Sequence, residues 1–342
     1  MYIPIEYKDL KKTDDYLLVD VRTPSEYEEA TIKGAINIPI FNDEERELIG
    51  TIYVQESVEK AKKIGIEFAA KQLPTIYQKI IEIKKSRQKI IFFCARGGMR
   101  SGVLTSIISE MGIDATRLKG GYKAYRNFVL SQLPKLNEDT DYIVLHGNTG
   151  VGKTEILKKL KIKGYNVLDL EGDANHRGSL LGHVGLGKTN SQKQFETNVF
   201  DALSNIKGNY VFVEAESSRI GSVSVPKYIL DKMKLGKHIY LEADIDFRTK
   251  VILNEYTRDT NTNCEIIKCL EKLNKYISNE NIERYKMMIN SNNYEDVSKE
   301  LMVNYYDPLY MKSAKRYQYD MEIQVNSFDD TIKRIEEYFK NL

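Results

Sequence analysis

Residues 142–154 read YIVLHGNTGVGKT, and the fold is decided here. Residues 142–146 are short, apolar and β-favouring, which predicts a buried strand. Gly147-Asn148-Thr149-Gly150-Val151-Gly152-Lys153-Thr154 then completes the pattern G-x-x-x-x-G-K-[ST]. Glycines let successive backbone N–H groups curl round a phosphate. Lys153 supplies a point charge to its outer oxygens, and Thr154 can reach Mg²⁺. A glycine turn that binds nothing is the bland alternative, and the strand before the turn and the helical pattern from about Lys153 weigh against it. A hydrolysing nucleotide site also needs an acidic residue at the end of another strand. Asp169 in VLDLEGD and Glu214 in YVFVEAES are the candidates, each of which could equally be structural. His176 and Arg177, in the polar stretch 173–179 expected beside the loop, could clamp an anion; a solvated loop is the alternative.

Outward from this stretch, strands are expected at 166–170, 210–213 and 238–241, followed by a helical tail from about 246. Upstream, the polar run 133–141 (LPKLNEDTD) reads as a linker. Before it, strands are expected at 16–21, 34–40 and 89–94. Helices are expected at 57–86, broken near Pro74, and at 101–111, with Gly112 past the end. Strand–helix alternation on both sides predicts two α/β domains with parallel sheets, 1–132 and 140–342.

The first domain carries its own loop. Residues 94–101 read Cys-Ala-Arg-Gly-Gly-Met-Arg-Ser after the apolar strand KIIFF. A cysteine at a strand end, followed by Gly97, Gly98 and a helix N-terminus, sits among inward-pointing N–H groups. With Arg96 and Arg100 nearby, that surrounding favours an anion and a lowered thiol pKa, so Cys94 is the expected nucleophile. The cradle suits a persulfide or perselenide on the sulfur, and the Cys-x5-Arg spacing also suits a cysteine phosphatase. A buried cysteine acting as a small hydrophobe is the alternative.

Bulk composition limits the partners. The 342-residue chain carries 51 Lys+Arg against 49 Asp+Glu, a net +2, so nucleic acid would have to be met by a local patch. Lys119, Tyr122, Lys123, Tyr125 and Arg126 in GGYKAYR interleave rings with cations, a pattern suited to single-stranded RNA, although a solvated charged face looks similar; Lys312–Arg316 is a weaker run. No apolar run approaches the ~20 residues that span a bilayer, and no secretory leader is read, so the cytoplasm is expected. Three scattered cysteines predict neither a disulfide framework nor a metal site.

Two further stretches, Asp20-Val21-Arg22-Thr23-Pro24-Ser25-Glu26-Tyr27 and Gly34-Ala35-Ile36-Asn37-Ile38-Pro39, make the first domain resemble a rhodanese domain. Fused to a phosphate loop, it resembles the bacterial tRNA 2-selenouridine synthase family. The stretches 42–46 (NDEER), 50–53 (GTIY), 120–126, 169–179, 214–221 (EAESSRIG) and 305–310 (YYDPLY) agree with that likeness. Ala95 departs from it, since a larger residue is expected there. The resemblance implies an α/β enzyme, rhodanese-like then P-loop NTPase-like with a helical tail, that converts wobble 2-thiouridine to 2-selenouridine. It implies tRNAs for Lys, Glu and Gln, an S-geranyl intermediate, and geranyl diphosphate and selenophosphate as co-substrates. No tightly bound cofactor is expected; Mg²⁺ and a selenophosphate-supplying enzyme are compatible. A rhodanese-type tRNA sulfurtransferase using ATP at the phosphate loop is the alternative.

Overall fold

The computed structural model describes residues 2–10, 15–84, 88–179, 181–256, 262–314 and 316–340; the side chains of 311–314 and all of Lys315 lie outside that description, and with them most of the 312–316 basic run. The chain divides into two compact units. The first is Met1–Leu133 with Glu196–Asn198, and the second is Pro134–Phe195 with Val199–Leu342.

In the first unit, β1 (Tyr16–Asp20), β2 (Ile36–Asn37), β3 (Lys89–Phe93) and β4 (Ala115–Arg117) form one parallel sheet in the order β2-β1-β3-β4. β3 is central, and its Ile90, Phe92 and Phe93 are fully buried, which is why its sequence is apolar on both faces. Val19, Ile80, Ile90, Phe92, Leu104 and Ile108 share the core, each contributing about 1.5–3 kcal/mol of burial. NDEER turns out to open a helix, Asp43–Gln55: Asn42 and Glu45 cap each other's backbone amides, and three acidic side chains sit in its first turn. The helix Val58–Ile83 runs through Pro74 instead of breaking there. Pro74 costs it a hydrogen bond, offset by the burial of Ile76 and Ile80 in the same core.

The expected linker is also helical. Gly121–Glu138 is one helix with Pro134 inside it. Its last turn is anchored in the second unit, where Asn137 donates to the Tyr228 carbonyl at 3.2 Å and accepts from the Tyr142 hydroxyl at 3.0 Å. Asp141 already belongs to the next strand.

In the second unit, β5 (Asp141–His146), β6 (Val167–Leu168), β7 (Tyr210–Glu214), β10 (Lys237–Glu242) and β11 (Met321–Gln324) form a parallel sheet, order β11-β10-β5-β7-β6. The strands β8 (Arg219–Ile220) and β9 (Val223–Ser224) make a small antiparallel hairpin. Ile143, Leu145, Ile239 and Leu241 pack beneath the helices Lys153–Ile162 and Phe328–Lys340. β11 was not foreseen. Four residues at a sheet edge show too little alternation to stand out in a helical tail. The helices between 245 and 314 enclose a separate core around Cys269, Leu270, Leu273 and Ile289. The phosphate loop leaves β5, the middle strand, at its carboxyl end, where α/β sheets hold ligands.

Candidate active sites: a cysteine loop and a phosphate loop

Cys94 follows β3 and is 3% exposed. Its Sγ lies 3.3 Å from the Ser101 hydroxyl, in the first turn of the helix Met99–Glu110. Burial opposes ionisation, yet the Ser101 hydroxyl and amide, the Arg100 charge and the Arg96 amide outweigh it, holding the thiol below its ordinary pKa. The cradle read from the sequence is therefore present, although Gly98 serves only as an uncapped helix start. The two guanidinium groups differ from expectation. Arg100 is gripped by Glu26, with Nη1 to Oε2 at 2.6 Å and Nη2 to Oε1 at 3.3 Å, so it acts through its charge rather than as a free anion ligand. Arg96 is exposed, and its guanidinium has no partner among the described residues.

The stretch GGYKAYR backs this loop instead of facing RNA. The Tyr122 amide donates to the Cys94 carbonyl and the Lys123 amide to the Ala95 carbonyl, both at 2.9 Å. At Gly121, with φ +58°, an added Cβ would lie 2.1 Å from the Cys94 carbonyl oxygen, so only glycine allows the approach. Tyr122 and Tyr125 are 7% and 1% exposed, Tyr122 lying under the Arg22 guanidinium at 4.0 Å. Rings packed this way cannot stack on bases. Lys119 pairs with Glu6 and Arg126 with Glu196. Of the five residues, only Lys123 presents an exposed, unpaired charge among the described residues.

Asp20, Arg22, Glu26 and Ser101 had no role in the residue-level reading. Buried Asp20 holds Arg22 at Nε and Nη2 (3.0 and 2.6 Å), while Arg22 also donates to the Ala30 carbonyl at 2.7 Å. The signal was an acid and a base two residues apart at a buried strand end.

At the phosphate loop, Gly147, Gly150 and Gly152 all have positive φ. A Cβ on Gly152 would strike the Phe328 ring at 2.4 Å. Lys153 Nζ folds back onto the Gly147 carbonyl at 2.8 Å, and the Thr154 hydroxyl donates to Glu171 at 3.2 Å. Arg248 fixes the loop from outside, donating through Nε to the Thr149 carbonyl at 2.9 Å and through both terminal nitrogens to Asp307 at 2.9 and 2.6 Å.

Three carboxyls crowd this end of the sheet. Glu171 donates its amide to Glu214 Oε1 at 2.9 Å, and Glu214 Oε2 has no partner among the described residues. Burial, then the neighbouring Asp169, Glu171 and Glu216, pushes the Glu214 carboxyl far up; burial and Glu216 push Glu171 up; burial pushes Glu216 up against the Lys153 charge. Glu214 ends β7 with its carboxyl on the Glu171 amide, and it is Glu171 that meets Thr154. Asp169 instead caps the helix Leu170–Ala174, accepting from Gly172 at 2.8 Å. Glu171 and Glu216 were missed, although each lies two residues beyond a residue that was singled out.

His176 and Arg177 are not the anion clamp expected. The Arg177 guanidinium donates to the Val184 and Glu255 carbonyls at 2.7 and 3.3 Å and lies over the Tyr256 ring. Burial, then His183 and Arg177, lowers the His176 pKa. A narrow apolar cleft begins at Thr149 of the loop and is walled by Ile252, Tyr256, Ile289, Leu301 and Tyr306. Cys264 is exposed and Cys269 buried, and no grouping of three or more His, Cys, Asp or Glu with metal-holding geometry occurs among the described residues.

Comparison with known proteins fits this pairing of loops. Residues 140–341 match the family described as the tRNA 2-selenouridine synthase AAA domain, and residues 4–128 match the rhodanese-like domain. A tRNA 2-selenouridine synthase of Nitrosomonas eutropha is 32% identical over 249 residues, 71% of this chain and 64% of that protein. One from Hydrogenovibrio crunogenus is 30% identical over 341 residues, 90% of this chain and 92% of that protein. The alignment with the Nitrosomonas protein thus takes in just under two thirds of its length. A solved N-terminal domain from Clostridium difficile 630 is 41% identical, covering 37% of this chain and 99% of its own, with a TM-score of 0.36. With one family matched across its second unit and a relative aligned nearly end to end, the chain belongs to the tRNA 2-selenouridine synthase family.

Proposed function

We propose that this protein replaces sulfur by selenium at C2 of a wobble 2-thiouridine in tRNA, in two steps using its two loops separately. In the first, the C2 sulfur attacks C1 of geranyl diphosphate. A C–S bond forms, the C1–O bond breaks, diphosphate leaves with the electron pair, and the base loses its N3 proton. In the second, a selenium nucleophile derived from selenophosphate adds at C2 and expels geranyl thiol. Alkylation makes C2 electrophilic and turns a poor leaving group into a good one.

The observation that carries this reading is the apolar cleft opening at Thr149, inside the phosphate loop. A phosphate grip beside a hydrocarbon-lined cleft suits a prenyl diphosphate better than a nucleotide with its polar ribose. The loop amides and Lys153 would take the diphosphate and stabilise the charge it gains on leaving. Mg²⁺ arriving with the diphosphate would find the Thr154 hydroxyl and the Glu171 carboxyl adjoining, the latter having to give up its proton to hold the ion. In the first unit, the low-pKa Cys94 handles selenium. The substrates would be tRNAs for Lys, Glu and Gln, with a selenophosphate-supplying enzyme as upstream partner. No helix among the described residues is long and apolar enough to cross a membrane.

The rival is a sulfurtransferase that carries persulfide on Cys94 and turns over ATP at Lys153, since the cysteine cradle suits either chalcogen. Incubation of thiolated tRNA with geranyl diphosphate and selenophosphate, each alone and together, followed by mass spectrometry of the nucleosides, separates the two. S-geranyl-2-thiouridine from the first donor alone, and selenouridine only with both, is expected. Stoichiometric ATP hydrolysis with no geranylated nucleoside would overturn the proposal.

A further inference from the structure

Transfer between two molecules needs two adjoining sites, and the apolar cleft accounts for one. A second cleft, about 560 Å³ with its mouth, shares no lining residue with it. It lies on the face of β5 opposite the one carrying Ile143 and Leu145, and is lined by Val144, His146, Glu216, Lys234, His238 and Tyr317. His146 directly precedes Gly147. Through His146 the cleft lies next to the first residue of the phosphate loop in the chain, although no residue of that loop lines it. No sequence motif singled out either histidine.

The chemistry of the lining is specific. His146 Nε2 lies 2.9 Å from His238 Nδ1, and His238 Nε2 lies 3.2 Å from the Lys234 carbonyl. A carbonyl only accepts, so His238 carries its proton on Nε2 and offers Nδ1 as acceptor. His146 must then donate through Nε2, which leaves its Nδ1 with a lone pair. Burial, then His238 and Lys153, holds the His146 pKa down at about 3, so the ring stays neutral at working pH. Tyr317 lies against both imidazoles, with centroids 4.6 and 4.8 Å away, and is itself half-buried.

We propose that this second cleft is the acceptor subsite, receiving an unpaired pyrimidine base lifted out of its RNA strand, with the ring against Tyr317 and N3–H donated to Nδ1 of His146. Flat aromatic walls and a single fixed acceptor are what a nucleobase needs, and the buried Glu216 carboxyl in the lining adds a polar partner. The subsite rests on the reading of the phosphate loop as the donor's holder only for what the base reacts with, not for its binding.

The test uses the full chain and an anticodon stem-loop RNA with 4-thiouridine at the wobble position, irradiated without any prenyl donor. Adducts on the peptides carrying His146, His238 or Tyr317 are expected; adducts confined to the first unit or to residues 262–306 would overturn the subsite. In parallel, Tyr317→Ala should weaken binding of a 2-thiouridine stem-loop about tenfold, as loss of one stacking partner does, with geranyl diphosphate affinity unchanged. Equal RNA affinity in a variant shown by thermal melting to be folded would also overturn it. If geranyl diphosphate fails to bind while the adducts appear as expected, the donor assignment falls and the base subsite stands.

Discussion

At the end of β3 a thiol meets the first turn of a helix; at the end of β5 a lysine does. The surroundings are opposite in sign. The charge that acts on Cys94 is positive and already engaged. Arg100 is locked by Glu26, so the field at the sulfur is in place before any substrate arrives. Around Lys153 the fixed groups are acidic and strained toward their protonated forms, and the cation itself rests on a carbonyl of its own loop. One region is organised around a sulfur of the protein's own whose anionic form its surroundings favour. The other is organised to receive an anion from outside, and its lysine must move when that happens.

The variant expected to matter most tests whether the two loops really divide the labour. Cys94→Ser should reduce selenium incorporation by at least about 10³-fold, the loss typical of removing a nucleophile, while S-geranyl nucleoside is still detected by mass spectrometry. Loss of both products would show that the thiol also serves the other loop. Next, Lys153→Ala should slow geranyl transfer about 100-fold, the worth of roughly 3 kcal/mol from one charge-assisted phosphate contact. The pH profile of Cys94 alkylation should not change in that variant, and a shift there would break the contrast.

A smaller effect sharpens it through pH. The folded His146 imidazole has its pKa lowered to about 3. Below the unfolded value near 6.5, the unfolded chain takes up a proton that the folded one refuses. Stability is therefore lost as pH falls, by up to about 1.4 kcal/mol per unit. Glu171 and Glu214 act with the opposite sign, because their raised folded pKa makes acidification stabilising. The difference in urea midpoint between the protein and His146→Gln, followed from pH 7 to 5.5, isolates the histidine. Glu26, whose folded pKa is lowered, begins to lose its contribution only as pH drops below about 4.5. A His146→Gln difference that stays flat with pH would show that the imidazole is solvated. Smallest of all, Ser101→Ala should raise the pH midpoint of Cys94 alkylation by up to about one unit, or 1.4 kcal/mol; an unmoved midpoint would assign the effect to the backbone and Arg100 alone.

Both loops were legible because strand, glycines and helix follow one another within thirteen residues, so local sequence carries the whole geometry. Their supports were not. Glu26 reaches Arg100 across 74 positions, and Asp307 reaches Arg248 across 59. Such pairs are set by topology, which no local spacing encodes. The misreadings have the same origin. GGYKAYR looks like an RNA surface until the Cys94 carbonyl is seen against Gly121, which turns both tyrosines inward. The run 133–141 looks like a linker because Pro134 disfavours a helix, yet tertiary anchoring of Asn137 outweighs that local preference. His146 and His238 lie on neighbouring strands 92 residues apart, so nothing in either neighbourhood marks them.

The clamp of Arg248 on Thr149 and Asp307, together with Phe328 wedged against Gly152, carries a consequence for synthesis. A growing polypeptide can complete its first sheet once residue 118 has emerged, whereas the glycine-rich turn at 147–154 waits for parts made some 150 to 180 residues later. A nascent or clipped chain that stops short of Asp307 would keep the whole Gly-Lys-Thr signature and yet have no rigid turn with which to grip anything.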